Sequence, residues 1–256
     1  MLINNLKGNF KFLKGFGPFC AGVVAHPGYE IVHATFHSPP PLQRGYERIE
    51  RHLQRAQRPL SALCGMELRI PQPLSYEGFV EFNRPYVDQL TRWNLLVDGL
   101  IPVARSNVAL AFNPVSEPSL YGFSYTVPSP HAEATFVMSG VPEVQFRDGG
   151  QYDVISPGDV SLEGMRQKAE HVLRVLTTNL HALQVGSADI TRVEIYTVQE
   201  IRPLLTATIL PTLPQAGRHG ICWHYAHPPV VEFACEIDIR GVRQELVLAE
   251  GELQTE

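Results

Sequence analysis

Apolar and polar positions along the chain fall into two periods. An alternating period marks strands in "FCAGVVAHPGYEIVHATF", two strands around a Pro-Gly turn, and in "MELRIP", "VARSNVALAF" and "SLYGFSYTV". A helical period marks "RGYERIERHLQRAQ", with Tyr46, Ile49, Leu53 and Ala56 on one face. It also marks "SYEGFVEFNRPYVDQLTRW", opened by Ser75, where Pro85 predicts a kink or irregular turn. After the Pro-rich "TVPSPHAEA" the same order returns. "ATFVMSGV" and "QYDVIS" read as strands. A long helix carries Met165, Ala169, Val172, Leu176, Leu180 and Leu183 on its buried stripe. Then follow the strand "ITRVEIYTV", a helix broken at Pro211, and the strands "GICWHYAH" and "VVEFACEIDI". The pattern predicts a duplicated α+β chain, divided into 1–129 and 130–256. Each half is expected to run β-β-α-β-α-β-β, with one sheet packed on two helices.

The 256 residues suffice for one large or two ordinary domains, and 44% apolar with 18% charged residues fits a globular chain. A net charge of -5 favours neither nucleic acid nor anionic membrane as a partner. No apolar run reaches a membrane span, and the N-terminus is too broken by Asn, Lys and Gly for a signal-peptide core. Cys20, Cys64, Cys222 and Cys235 lack paired spacing, so a cytoplasmic protein with reduced thiols is expected.

Nucleotide-binding glycine motifs, a P-loop, a G-x-S-x-G elbow and an H-E-x-x-H helix are all missing from the sequence. "CWHYAHPP" concentrates aromatic and imidazole side chains. Strand alternation, however, opposes His219 to His224 and leaves His227 at the strand end, so three ligands do not converge and no metal is expected. Trp223 and Tyr225 share a face, which either fills the core or gives a flat wall to a conjugated substrate. Arg105 lies in an apolar strand, where a guanidinium needs either an internal acid or a bound carboxylate. Glu236 and Asp238 lie on one face of their strand. A solvated rim is the commoner meaning of that pattern, and a proton-transfer carboxylate is the functional one. Asn83 either caps the break at Pro85 or hydrogen-bonds a substrate. Ser139 lacks an adjacent base in the sequence and is not read as a nucleophile.

These residues resemble the RidA (YjgF) family of imine and enamine deaminases. "FVMSG", "LHALQVGSADITRVEIYTV" and "CEIDI" resemble the family's second-half pattern, while "FNRPY" and "PVARSNVA" resemble its helix and arginine-strand motifs. The resemblance runs over nearly the whole chain, taken as two RidA/YjgF-like (chorismate-mutase-like) copies. It implies a homotrimer with clefts built by unlike domains. It also implies that the copies have divided the site: Arg105 and Asn83 in the first half, Ser139 and Glu236 in the second. The family's strand serine is Ala21 or Gly22 in the first half, and Arg218 is a looser match to the second arginine. At whole-chain level, "PVARSNVA", "YGFSYTVP", "WHY" and "PPVV" are similar to the two-domain 2-amino-5-chloromuconate deaminases.

The resemblance implies cofactor-free hydrolysis of a 2-amino-dienoate such as 2-aminomuconate to its 2-oxo acid and ammonia, in aromatic-compound degradation. Arg105 would grip a carboxylate with the backbone of Ser106 and Asn107, and Glu236 would serve as base and acid. Ser139 and Asn83 would bind substrate, and Arg218 or a nearby histidine would meet a second carboxylate. The alternatives are a chorismatase-like enzyme and a non-catalytic binder of small acids on the same fold.

Overall fold

The computed structural model describes residues 1–17, 19–147 and 151–249. The first half opens with three strands, β1 (Leu2–Asn5), β2 (Phe10–Lys14) and β3 (Cys20–Ala25). Next come β4 (Tyr29–Phe36), α1 (Leu42–Arg55), β5 (Leu63–Ile70), α2 (Tyr76–Arg92), β6 (Ala104–Leu110) and β7 (Ser119–Pro128). The second half has the short strands β8 (Phe136–Met138), β9 (Val141–Pro142), β10 (Val144–Phe146) and β11 (Tyr152–Val154), then α3 (Leu162–Leu183) and β12 (Arg192–Tyr196). A helical segment joins α4 (Arg202–Leu204) to α5 (Leu210–Thr212) through a π-helical turn, Leu205–Ile209. The chain then runs through β13 (Cys222–His224), β14 (Ala226–His227), β15 (Glu236–Gly241) and β16 (Gln244–Leu248).

Local chemistry explains the helices. Ser75 and Ser161 accept hydrogen bonds from the Gly78 and Gly164 backbone N–H groups and cap α2 and α3 at 3.1 and 3.2 Å. No irregular turn interrupts the chain at Pro85; α2 runs through it. Pro85 and Glu81, whose carbonyl loses its intrahelical donor, both sit on the exposed face, where water can replace the missing bond. None of the helices described is long and apolar enough to cross a membrane.

The sheets overturn the expectation of two tandem units, each with its own sheet on two helices. One sheet runs β1-β2-β3-β8-β15-β12-β13, with β9 also paired to β15, and another runs β14-β6-β5-β7-β4-β16. The β3–β4 segment is therefore no hairpin: β3 pairs with β2 and β8, and β4 with β7 and β16. The first three strands of the chain join the sheet of the second half, and the last described strand joins the sheet of the first. Strands β1, β2 and β16 are absent from the periodicity reading. β10 and β11 form a separate two-stranded ribbon. The physical reason is that alternation specifies which face of a strand is apolar, but not which edge it joins.

The two large sheets lie face to face, with helices outside. α3 and the α4–α5 segment pack on one sheet through Met165, Val172, Leu176, Ile237 and Ile239. α1 and α2 pack on the other through Ile49, Leu53, Tyr86, Met66 and Leu68. Between the sheets, Phe10, Phe12, Val23, Ile31, Cys64 and Val137 form an apolar patch. Beside it lies a buried polar layer. Arg240 reaches Glu194 at 3.1 Å and Glu67 at 3.5 Å, and Tyr196 donates to Asp238 at 3.0 Å. Burial and the Arg240 charge push His33 down to about 3, so it is neutral there. Charged groups this deep persist because each is held by opposite charges and hydrogen bonds.

Candidate active site

A cavity of about 440 Å³ opens where the two halves meet, within the range that holds a small ligand. α2, β6, the turn after β8, α3 and the start of β15 all contribute to its wall. Of the residues singled out in the sequence, Asn83, Arg105, Asn107, Ser139 and Glu236 line it together. One chain alone brings them together.

Alternation along β6 sends Arg105 and Asn107 into the cavity and Ser106 to the opposite face, where its hydroxyl donates to Asp238. The Arg105 guanidinium lies 4.6 Å from the ring centre of Tyr86, 5.5 Å from Phe19 and 5.7 Å from Phe79. It makes no ion pair among the described residues, and its Nη1 is buried without a hydrogen-bond partner. Burial holds its pKa below the usual arginine value, while Tyr86, Tyr46 and Glu236 act in the other direction. Asn83 Oδ1 and both side-chain polar atoms of Asn107 are likewise buried without partners. Several unsatisfied donors and acceptors at one cavity are what a polar ligand would complete.

Ser139 holds this arginine's backbone. Its hydroxyl donates to the Cys20 carbonyl at 2.7 Å and accepts from the Arg105 backbone N–H at 3.0 Å. The next N–H, of Gly140, donates to the Arg105 carbonyl at 3.1 Å, and that of Ser139 to Ala21 at 3.1 Å. This clip joins β3, the end of β8 and β6, hence both sheets. The hydroxyl is already engaged twice, so its geometry is that of a positioning group.

Glu236 is 4% exposed, as is Asp238. The solvated-rim reading of this pair is therefore wrong: their shared face is the one covered by the opposite sheet. Burial raises Glu236 to about 8, helped by Asp238 and opposed by Arg105 and the Asn107 backbone N–H. Asp238 rises to about 7 through burial and its neighbours Glu67 and Glu194. A second buried pair anchors the approach to Glu236. Glu143 accepts from the Ala234 and Cys235 N–H groups and meets Lys168 at 3.3 Å.

Gly140 leaves the space that the Glu236 carboxylate occupies. A Cβ there would lie 1.8 Å from Glu236 Oε1. Gly140→Ala should displace the carboxylate and lower kcat more than tenfold. Its thermal midpoint should fall only moderately, because the clash is with the end of a side chain. Steady-state kinetics beside a melting curve checks this.

The remaining candidates lie elsewhere. Arg218 is exposed at the end of a 3₁₀ turn and does not line the cavity. Trp223 is 39% exposed and donates its indole N–H to the Thr197 carbonyl at 2.9 Å. Tyr225 is 47% exposed and stacks on Phe112 with ring centres 5.3 Å apart. Neither forms the expected wall, and neither fills the core. The run changes sheets at Tyr225: Cys222–His224 pairs in parallel with β12, and Ala226–His227 pairs with β6. Face alternation therefore does not carry through it. His224 binds Glu194 and stacks on Tyr196 at 4.9 Å.

The walls that do line the cavity include Phe16, Phe19, Tyr76, Phe79 and Phe233. Tyr86, whose ring packs against the Arg105 guanidinium, is missing from the sequence reading, although "FNRPY" places it three residues after Asn83 on one helical face. Phe16 and Phe19 had no local signal, because their place depends on β3 crossing into the other sheet.

The cavity thus combines aromatic walls, a buried guanidinium with no ion pair among the described residues, and a protonatable carboxyl. The chain belongs to the 2-aminomuconate deaminase CnbZ family, whose model matches residues 2–246. It is 35% identical over 246 residues to the 2-amino-5-chloromuconate deaminase of Comamonas testosteroni, covering 94% of this chain and 96% of that one. The crystal structure of a chorismatase superimposes with a TM-score of 0.45 at 10% identity, over 94% of this chain and 78% of the other, too distant to bear on function.

Proposed function

We propose that the chain is a deaminase of 2-aminomuconate or 2-amino-5-chloromuconate that releases ammonia by hydrolysis and leaves the 2-oxo acid or its 2-hydroxy tautomer. Family membership and the Comamonas relative support the substrate class. The observation that carries the chemistry is the buried, unpaired Arg105 facing the same cavity as Glu236.

Arg105 grips the substrate's C1 carboxylate, which supplies the missing anion. Asn83 and Asn107 hydrogen-bond the nitrogen and carboxylate oxygens. The enamine tautomerises to an imine, a proton reaching carbon as one leaves nitrogen, and water then adds to C2. Glu236 as carboxylate removes the water's proton as the C–O bond forms. It returns that proton to nitrogen to give the carbinolamine, then carries the hydroxyl's proton to nitrogen as the C=O forms, the C–N bond breaks and ammonia leaves. A pKa near neutrality suits a group that must both take and give a proton. The imine is already electrophilic, so positioning and proton transfer carry the rate.

The test is ammonia release from 2-aminomuconate, 2-amino-5-chloromuconate, 2-aminoacrylate and chorismate. Ammonia from the two muconates is expected, with no consumption of chorismate. Tight muconate binding without turnover would overturn the reading in favour of a small-acid binding protein.

A further inference from the structure

Among the described residues, the cavity wall carries one cation besides Arg105 that is free to meet an anion. His171 also lines it, but both ring nitrogens are engaged: Nε2 with the Val144 carbonyl at 2.9 Å and Nδ1 with Arg174 at 3.3 Å. Accepting from Arg174 on Nδ1 and donating from Nε2 keeps that imidazole neutral. Arg218, the sequence's candidate for a second carboxylate, is not in the wall. Lys14 is: it is the last residue of β2, exposed at the mouth, and it makes no ion pair among the described residues.

Backbone hydrogen bonds link it to Arg105 through the clip that joins the two sheets. Lys14 is paired with Cys20 on β3, Ala21 is bonded to Ser139, and Ser139 and Gly140 are bonded to Arg105. Three hydrogen-bonded steps, the last of them crossing to the other sheet, keep the two backbones within roughly 14 Å of each other. Both side chains stand off their backbones into the same cavity, so the two charged heads can meet opposite ends of one extended diacid there. The wall also carries the apolar side chains of Phe16, Phe19, Val141 and Phe146, which suit a conjugated chain.

We propose that Lys14 binds the second carboxylate of the substrate and makes the site selective for dicarboxylates over monocarboxylates. This rests on the reading of the cavity as the amino-dienoate site, with Arg105 holding the first carboxylate. Lys14 acts at the solvent-facing end, so its contribution is modest and sensitive to salt.

The experiment is calorimetric binding of muconate and of sorbate, which has the same diene and one carboxylate, to wild type, Lys14→Met, Lys14→Arg and Arg105→Met. Wild type should bind muconate roughly fivefold more tightly than sorbate at low salt. Lys14→Met should remove that preference by weakening muconate alone, Lys14→Arg should keep it, and Arg105→Met should weaken both ligands. Equal affinity of wild type for the two ligands, or a muconate preference that survives Lys14→Met, overturns the inference. Ammonia release by wild type, measured separately, distinguishes the two failures. A deaminase whose Lys14→Met variant keeps the preference loses only this inference; a protein that shows the preference but releases no ammonia loses only the reaction.

Discussion

Glu236→Gln should reduce ammonia release by about 10²–10⁴ in kcat, the span expected for loss of a positioned acid–base group. Glutamine preserves the shape of the side chain against Gly140 and cannot cycle a proton. The pH profile makes the prediction specific. With Glu236 raised to about 8, wild-type kcat/KM should climb through that pH as the carboxylate forms. The stability consequence has the opposite slope. The folded protein holds this proton more tightly than the unfolded chain, whose glutamates titrate near 4.5. The stability it confers is complete below that value and is lost as pH rises through about 8, on the order of a few kcal/mol. Glu236→Gln should remove most of that loss, leaving the smaller fall from Asp238, which shifts the same way. Denaturant titrations from pH 5 to 8.5 read it directly. Undiminished turnover in the variant would remove Glu236 from the mechanism.

Arg105→Met should lower kcat/KM by at least about 30-fold, since losing one member of a buried charge pair costs about 2–5 kcal/mol. Arg105→Lys should also be poor, because an ammonium cannot present the planar fork. Stability separates binding from structure. A guanidinium engaged in an internal ion pair would destabilise the fold by about 3–5 kcal/mol when removed. Arg105 has no such partner among the described residues, so methionine, apolar and similar in length, should leave the thermal midpoint unchanged or higher. A lower midpoint together with near-normal kcat/KM would make Arg105 a structural residue.

Much of the site was legible because short motifs keep their local geometry. "ARSN" on a strand puts Arg105 and Asn107 on one face, whatever sheet that strand joins. "FNRPY" on a helix puts Asn83 and Tyr86 on one face, and "CEIDI" does the same for Glu236 and Asp238. Their environment was not legible. The paired acids matched an exposed rim as well as a buried layer, and only the second sheet lying over them decided for burial. The histidine- and aromatic-rich run misled for the converse reason. Its alternation was continuous in sequence, while its hydrogen bonds pass from one sheet to the other at Tyr225.

The sequence by itself determined the helices, most of the strands and the residues that could carry a carboxylate clamp and a proton. These depend on periodicity, capping and side-chain chemistry, which act over a few residues. Only the tertiary structure decided that β1, β2 and β3 join the second half's sheet, that β14 and β16 join the first half's, and that one cavity therefore receives Arg105 and Glu236 from 131 positions apart. Strand partners are chosen by the burial of whole faces and the satisfaction of whole edges, and no short stretch of chain contains that information.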